Sequence, residues 1–351
     1  MNTKNQSRKG TIMKSQMSRS DFFKTIGFAL LAESIIISGC NNDNGNRLKT
    51  GEIKIKVKPD ERNRVVLYVA AKEITIYWGD GKVEEFSPNG TGENYLHVFP
   101  DQNLQTVTLV TDSMTSVSSI LRIPPGFGNM GAFHELQLGK CVELKDIHFS
   151  NQHLTILDIE NAVASLELLY CSKNHLTSLD VGSASKLTIL DCTENQLTKL
   201  NLSKYKALRD LYCALNQLAE LDLSRCAALR NLICRGNHLT DLNLSNCKAL
   251  TSLSCGSNHL AELNLSRNAA LTHLSCHYNQ LSILNLSNCK ALSYLDCRNN
   301  RLSTSALNAI FDSLPDRTGA ESGVVFFTGN PGAASCDRSI LSGKEWAIAH
   351  S

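Results

Sequence analysis

Cysteines and histidines are the side chains of this 351-residue sequence that could act as nucleophiles or metal ligands. Thirteen cysteines are present, and seven of them recur every 21 residues: Cys171, Cys192, Cys213, Cys234, Cys255, Cys276 and Cys297. An asparagine follows three residues after each of them: Asn174, Asn195, Asn216, Asn237, Asn258, Asn279 and Asn300. A fixed period of this length indicates one structural unit stacked on copies of itself. The seven thiols are therefore predicted to fill a repeated interior position as small apolar groups, not to form a reactive centre.

Disulfide formation is the alternative for so many cysteines if the protein is exported. The seven periodic cysteines replace leucine at an inward position, which favours buried free thiols. Parallel side chains in register are also poorly oriented for a disulfide torsion, although their Cα atoms lie close enough for one. At a second repeated position, pairing among Cys226, Cys247 and Cys289 stays open.

The histidines could form a metal site. His238 and His259 occupy the same position one unit apart, and His273 and His277 share a strand. Two histidines with an added aspartate could hold a zinc ion. Other units place polar residues at the first of these positions: Gln196, Gln217, Gln280 and Arg301. This favours a polar surface column, so we expect no metal and no cofactor.

Two short motifs suggest enzymes without the context that they require. Gly126–Gly131 matches GxGxxG, but a dinucleotide site needs a strand before it and a helix after it. The SxxK pattern of Ser203–Lys206 recurs in other units as a by-product of the repeat, whereas an acyl-enzyme needs partner residues and an oxyanion pocket. We therefore predict no catalytic residues. The formal net charge of +2 also gives no reason to expect a nucleic-acid partner.

The repeated unit reads LxxLxCxxNxLxxLxLS, as in residues 187–203. It resembles the leucine-rich repeat over roughly residues 132–302, including a degraded first copy with Phe149 and Gln152 in the cysteine and asparagine positions. The resemblance implies a mainly β solenoid with parallel strand columns over residues 121–302. Since side chains alternate along a strand, Leu190 and Cys192 should point inward. The second half of each unit imitates the first, so we expect a second column of short strands on the opposite side.

The N-terminus is predicted to be a lipoprotein signal peptide over residues 1–39. A basic segment precedes a mostly apolar run at residues 26–37, and Ile37–Cys40 (ISGC) resembles the lipobox of bacterial lipoproteins. The resemblance implies lipidation of Cys40 and attachment to a membrane. An uncleaved anchor helix is the alternative, and translation could start at Met1, Met13 or Met17. Residues 40–50 are polar and predicted to be a tether.

Two further segments flank the repeats. Residues 51–120 alternate in β fashion and carry Ile74–Gly81 (ITIYWGDG), His97–Phe99 and Thr106–Leu109. They resemble a small PKD-type β-sandwich that is short for a full sandwich, so a strand could be missing. Residues 303–351 show one short helix, a strand and a second possible helix, and are predicted to be an α/β cap over the open end of the solenoid.

The outward positions of the main strand column vary most between units, which makes them the candidate partner-binding surface. One group could form an apolar lane: Tyr170, Ile189, Tyr212 and Ile233. A second group is more polar: His273, His277, Tyr278 and Tyr294. Arg235 is a further candidate, at the outward position after the cysteine. Tyrosine and arginine are favoured interface anchors. Ordinary surface variation is the alternative interpretation.

Taken together, these features resemble leucine-rich-repeat surface lipoproteins of the Bacteroides group. The resemblance implies a non-enzymatic binding protein for a protein ligand, lipid-anchored at Cys40 in the bacterial cell envelope. We expect the outer membrane, and which side of it stays open. The alternative is a glycan-binding component of an envelope nutrient-uptake system, with Trp78 or Tyr294 stacking on sugar rings.

Overall fold

Each of the seven cysteine-containing units forms one three-residue strand. The computed structural model describes residues 37–38, 51–58, 64–69, 74–87, 93–111, 132–138, 143–144, 146–159, 166–182 and 184–349. The seven strands pair in parallel with their neighbours, in register. They are β12 (Leu168–Tyr170), β13 (Ile189–Asp191), β14 (Asp210–Tyr212), β15 (Asn231–Ile233), β16 (Ser252–Ser254), β17 (His273–Ser275) and β18 (Tyr294–Asp296). The chain thus coils once per repeat, as the 21-residue period predicts.

The sheet extends beyond the seven units at both ends. The degraded copy supplies β10 (Asp146–His148), and the tail supplies β19 (Gly323–Phe326) and β20 (Trp346–Ile348), which completes a ten-stranded parallel sheet. The predicted β solenoid of leucine-rich repeats is confirmed. The parallel sheet of the solenoid continues into residues 303–351, the segment predicted to be a cap.

The core is built from the inward positions that the pattern indicates. Leu190, Cys192 and Leu197 are fully buried, and so are the equivalent residues of the other complete units to within a few per cent. Burying one leucine side chain contributes about 1.5–3 kcal/mol relative to leaving it exposed. No single coil could enclose its own leucines, so the stack stabilises the fold cooperatively.

The buried asparagines form a hydrogen-bonded ladder through the stack. Asn237 donates through Nδ2 to the Cys213 and Cys234 carbonyls, both at 3.0 Å, and its Oδ1 accepts from the Leu218 N–H at 3.0 Å. The pattern recurs at the other ladder asparagines. Each amide therefore satisfies turning backbone in its own coil and in the preceding one, which explains why asparagine occupies this position.

Over the described residues, the second halves of the coils bury their leucines but do not form the expected second column of strands. Leu202 is 1% exposed, yet the backbone around it makes turns. Asn201 Oδ1 accepts from the Ser203 N–H at 3.1 Å, and the Leu208 N–H donates to the Tyr205 carbonyl at 3.1 Å. These local hydrogen bonds replace the ladder that a sheet would need.

The tail adds a coil that the 21-residue period conceals. Val325, Phe327 and Asn330 take the leucine, cysteine and asparagine positions, and Asn330 Oδ1 accepts from the Asn300 and Leu302 N–H groups at 3.2 Å. Between this coil and the seventh unit lies helix α1 (Thr304–Ser313), capped by the Ser303 side chain. It buries the apolar residues Leu307, Ile310 and Phe311. A short helix, α2 (Ser339–Ser342), precedes β20.

The N-terminal strands form two antiparallel pairings and one larger sheet. The strands are β1 (Ile37–Ser38), β2 (Gly51–Lys58), β3 (Arg64–Val69), β4 (Ile74–Tyr77), β5 (Val83–Phe86), β6 (Glu93–Val98), β7 (Gln105–Thr111), β8 (Ala132–Leu138), β9 (Glu143–Leu144) and β11 (Ile156–Asp158). The larger sheet has the order β11-β8-β2-β7-β4-β5, a second sheet pairs β3 with β6, and a third pairs β1 with β9. Strands β8 and β11 come from beyond residue 120, so the larger sheet extends past the predicted 51–120 segment.

The core of this N-terminal module includes the aromatic residues that the sequence pattern emphasises. Trp78 is fully buried, lies edge-on to Phe99 with ring centroids 6.3 Å apart, and donates through Nε1 to Glu84 Oε2 at 2.8 Å. Gly79 and Gly81 adopt φ of 92° and 91°, as the tight turn after β4 requires.

Several predicted features lie outside the described residues. These are Cys40 and the tether, most of the signal segment, and the Gly126–Gly131 motif. Within the described ranges, no helix is both long enough and apolar enough to span a membrane.

Candidate interaction surface

The outward side chains of the parallel sheet form three rows, which we call the strand face. Strand register aligns the central row as His148, Tyr170, Asp191, Tyr212, Ile233, Ser254, Ser275, Asp296 and Phe326. A second row runs Leu168, Ile189, Asp210, Asn231, Ser252, His273, Tyr294 and Val324. Cross-coil backbone hydrogen bonds align the third as Ser172, Thr193, Ala214, Arg235, Gly256, His277, Arg298 and Thr328.

Three aromatic side chains, His273, Tyr294 and Phe326, pack across the second and central rows at the C-terminal part of this face, and we call them the aromatic row. The His273 and Tyr294 rings stack with centroids 5.9 Å apart, and the Phe326 ring lies 5.7 Å beyond Tyr294. Burial raises the pKa of Tyr294 to about 12, so its hydroxyl stays protonated and can donate a hydrogen bond at neutral pH. Together with their polar neighbours these rings form what we call the C-terminal cluster: His273, His277, Tyr294, Asp296, Arg298 and Phe326.

Asp296 fixes the arginine of this cluster. Arg298 Nε and Nη2 donate to the two oxygens of Asp296, each at 2.9 Å, and only 2% of Asp296 is exposed. The guanidinium carbon also lies 4.8 Å from the centroid of the Phe326 ring. This bidentate pairing raises the pKa of Arg298 and holds its side chain in one orientation against the aromatic row.

His277 lies over a glycine in the preceding coil. A Cβ atom at Gly256 would meet the His277 ring at 2.6 Å, so the ring can occupy this place only because Gly256 has no side chain. Burial lowers the pKa of His277; Asp296 opposes this shift, and Arg298 and Arg235 add to it. The imidazole is therefore neutral at pH 7.

Ser275, His277 and Asp296 do not form a catalytic triad, although the three residue types lie together. Ser275 Oγ and Asp296 Oδ2 both approach the same ring nitrogen, Nδ1 of His277, at 2.8 and 3.4 Å. A triad needs the serine on one nitrogen and the carboxylate on the other. The arrangement positions the ring and activates no nucleophile.

The predicted apolar lane is interrupted. Tyr170, Ile189, Tyr212 and Ile233 are all half-buried on the strand face, but Asp191 stands between the two tyrosines in the central row. Burial raises the pKa of Asp191, and a hydrogen bond from the Thr193 N–H at 3.0 Å opposes the shift. Asp191 thus divides the lane in the central row: Tyr170 lies on one side of it, and Tyr212 and Ile233 are neighbours on the other.

The remaining predicted residues lie at the margins of the C-terminal cluster. Tyr278 is 60% exposed and contacts the His277 ring edge-on at 5.7 Å. Arg235 is half-buried in the third row, next to Gly256. The repeat pattern does not single out three further residues of this surface: Phe326, Asp296 and Gly256. The spacing of Val325, Phe327 and Asn330 carries the signal for Phe326, because it repeats the L-x-C-x-x-N frame.

The described part of the chain holds no group of three or more histidine, cysteine, aspartate or glutamate side chains that could bind a metal. An open groove of about 460 Å³ lies over the second halves of neighbouring coils and includes Glu220, Asp222 and Asp241. Hydrogen bonds from Ser224 lower the pKa of Asp222, as suits a structural turn rather than a general acid.

No protein-family model and no curated protein matches this sequence. Among solved structures, the chain is similar to the functional domain of InlJ from Listeria monocytogenes, which includes a cysteine ladder. The sequence identity is 26%, the TM-score is 0.49, and the match covers 58% of this chain and 50% of that one. It is similar to an internalin, inlF, from the same organism at 22% identity and a TM-score of 0.49, covering 62% of this chain and 61% of that one. A leucine-rich-repeat protein from Leptospira interrogans shows 18% identity and a TM-score of 0.43, with coverage of 60% and 65%.

The chain therefore spans between half and three fifths of the two Listeria structures. These neighbours are leucine-rich-repeat proteins. On its own parallel strands, leucine core and asparagine ladder, the fold of this chain is a leucine-rich-repeat solenoid.

Proposed function

We propose that this chain is a non-enzymatic binding protein that presents its strand face to a protein partner, with the C-terminal cluster as the anchor. The observation that carries the proposal is the pre-organised group of Tyr294, Phe326 and Arg298, which lie next to one another across the three rows. Aromatic and arginine side chains contribute most binding energy in protein interfaces. Because Asp296 already holds Arg298, little side-chain entropy remains to be lost on binding.

The rigidity of the scaffold supports the same role. His273, Tyr294, Asp296 and Phe326 stand on consecutive strands of a sheet whose core is fully buried, and His277 and Arg298 follow two residues after the ends of their strands, so the backbone fixes their spacing. Sites on rigid elements hold their geometry better than sites on loops. A solenoid also offers an extended surface rather than an enclosed pocket, which suits a macromolecular ligand.

Site-specific photo-crosslinking tests this proposal. A benzophenone amino acid is placed at Tyr294 and, as the matched control, at Ile283, which is 74% exposed in the second half of its coil. Both full-length proteins are irradiated with envelope and extracellular fractions. We expect a discrete crosslinked protein from position 294 that is absent from position 283. The same crosslinks from both positions would contradict the proposal.

The apolar residues Tyr170, Ile189, Tyr212 and Ile233 of the N-terminal part of the strand face are a secondary contact in this proposal. A Tyr212→Ala/Ile233→Ala variant should reduce the crosslink formed at position 294 if the partner extends that far. Full crosslinking in that variant would restrict the binding surface to the C-terminal cluster.

Glycan binding is the second candidate function, favoured by the Tyr294–Phe326 row alone. Trp78 cannot stack on a sugar, since it is fully buried. A glycan array probed with the full-length protein distinguishes the candidates. Signals that disappear in a Tyr294→Ala variant would support a glycan ligand, and silence with an intact fold would oppose it.

We also propose that Cys40 carries a lipid that holds the protein in the bacterial cell envelope, at the outer membrane. The ISGC sequence at Ile37–Cys40 supports this. Metabolic labelling with an alkyne fatty acid should mark the wild-type protein and not a Cys40→Ser variant. Protease treatment of intact cells then reports the side of the membrane: loss of the solenoid places it outside the cell, and protection until lysis places it in the periplasm.

A further inference from the structure

One exposed column of the solenoid contains two pairs of histidines from adjacent coils. The column consists of the residues that follow the ladder asparagines and their equivalent in the first coil: His153, His175, Gln196, Gln217, His238, His259, Gln280 and Arg301. Backbone hydrogen bonds of 2.8–2.9 Å join each coil to the one before it at this position. The two pairs share their sequence position, yet their rings are arranged differently.

The first pair brings two ring nitrogens together. His153 Nδ1 and His175 Nε2 lie 3.3 Å apart, and both side chains are exposed. Zinc–imidazole bonds measure about 2.0–2.1 Å, so an ion bonded to both nitrogens would see them at an angle of about 107°. This is close to the tetrahedral angle, and the remaining positions would face solvent.

The backbone beneath this pair is fixed by a buried amide. Asn174 Oδ1 accepts from the Gln152 and Leu154 N–H groups, at 3.0 and 2.9 Å, which flank His153 in the chain. Asn174 also directly precedes His175, whose own N–H donates to the Leu154 carbonyl at 2.8 Å. The two imidazoles therefore project from backbone whose relative position is set by the same ladder that holds the core.

We propose that His153 and His175 form a two-imidazole site for a divalent transition metal ion such as Zn²⁺, Ni²⁺ or Cu²⁺, with water completing the coordination. Imidazole nitrogen suits these ions, whereas Ca²⁺ and Mg²⁺ prefer oxygen ligands. Without metal, the same 3.3 Å separation accommodates a hydrogen bond between the rings. The site is independent of the strand face and of its partner.

The second histidine pair supplies a control within the same molecule. The His238 and His259 rings are nearly parallel, at 7°, with centroids 6.0 Å apart. Ring-nitrogen lone pairs lie in the ring plane, so two stacked parallel rings direct their lone pairs within separate planes and not toward one ion, whereas the planes of His153 and His175 are inclined by 39°. The second pair is therefore expected not to chelate.

Calorimetric titration of the full-length protein with Zn²⁺ at pH 7.5 tests the site. A His153→Gln/His175→Gln variant should bind Zn²⁺ about tenfold more weakly or worse, while His238→Gln/His259→Gln should match wild type within about twofold. All cysteines remain in both variants, so any thiol binding is a constant background. Wild-type affinity in the first variant, or equal losses in both, would overturn the proposal.

Nuclear magnetic resonance identifies the ligand atoms directly. In long-range ¹H–¹⁵N spectra of the imidazoles, Zn²⁺ should shift His153 Nδ1 and His175 Nε2. Zinc-dependent shifts confined to other histidines would refute the assignment. Circular dichroism of each variant confirms that the solenoid is intact, so a lost site is distinguished from a lost fold.

Discussion

Replacing Asn237 by alanine should destabilise the solenoid by about 3–5 kcal/mol. Three hydrogen bonds are lost, and the carbonyls of Cys213 and Cys234 keep one amide donor each, from Asn216 at 3.2 Å and Asn258 at 3.1 Å. The Leu218 N–H, by contrast, loses its acceptor inside the core. Three bonds at about 0.7–1 kcal/mol each, and a penalty of about 1–2 kcal/mol for this buried donor, give the stated range.

Urea denaturation followed by circular dichroism measures the change, with Asn243→Ala as the matched control. Asn243 also accepts a backbone N–H, from Ser245 at 3.0 Å, but it is exposed, so its loss should cost about 0.5 kcal/mol. Amide hydrogen exchange should show lost protection at Leu218 in the Asn237 variant. Equal shifts of the urea midpoint in both variants would refute the role assigned to the ladder.

Four other predictions follow from the described geometry. Asn268→Cys should raise the urea midpoint, because the Oδ1 of Asn268 is buried without a hydrogen-bond partner and neighbouring coils carry cysteine there; a lower midpoint would count against this. Gly332→Ala should lower the free energy of unfolding by about 3 kcal/mol in thermal denaturation, since the added Cβ would lie 2.1 Å from the backbone nitrogen of Thr304. Gly256→Ala should lower it less, because only the His277 imidazole must move. Burial raises the pKa of the ladder thiols, so they should react with a thiol reagent at pH 8 only after urea is added, and reaction in the native state would contradict their burial. Because the folded-state pKa of His277 lies below its unfolded value of about 6.5, the unfolded chain binds more protons and stability should fall as pH drops below that value. A His277→Gln variant should flatten this dependence, and an unchanged pH profile would refute it.

The sequence predicts the repeated core correctly because burial acts alike in every coil. Leucine, cysteine and asparagine recur where inward packing and unsatisfied backbone demand them, so their roles follow from spacing alone. The coil that contains Phe326 and Asn330 escapes the same reasoning. Helix α1 lengthens that step to 30 residues between Asn300 and Asn330, which hides the repeat from a search at 21.

The candidate site could be predicted only in part. Strand alternation identifies His273, His277 and Tyr294 as outward residues, but it cannot show how neighbouring coils combine them. The bidentate hold of Asp296 on Arg298 and the position of His277 over Gly256 depend on side-chain rotamers. The residues of the apolar lane were chosen by type, and the register aligns Asp191 between Tyr170 and Tyr212; the role of the lane in binding stays a prediction.

The most direct test of the proposed function is the affinity of the crosslinked partner for a Tyr294→Ala variant, measured by surface plasmon resonance beside Ile283→Ala. Truncating a central aromatic anchor typically costs 2 kcal/mol or more, so we expect binding to weaken by about 30-fold in the first variant. The second should bind like wild type. Undiminished affinity after Tyr294→Ala, or an equal loss after Ile283→Ala, would contradict the assignment of the strand face as the binding surface.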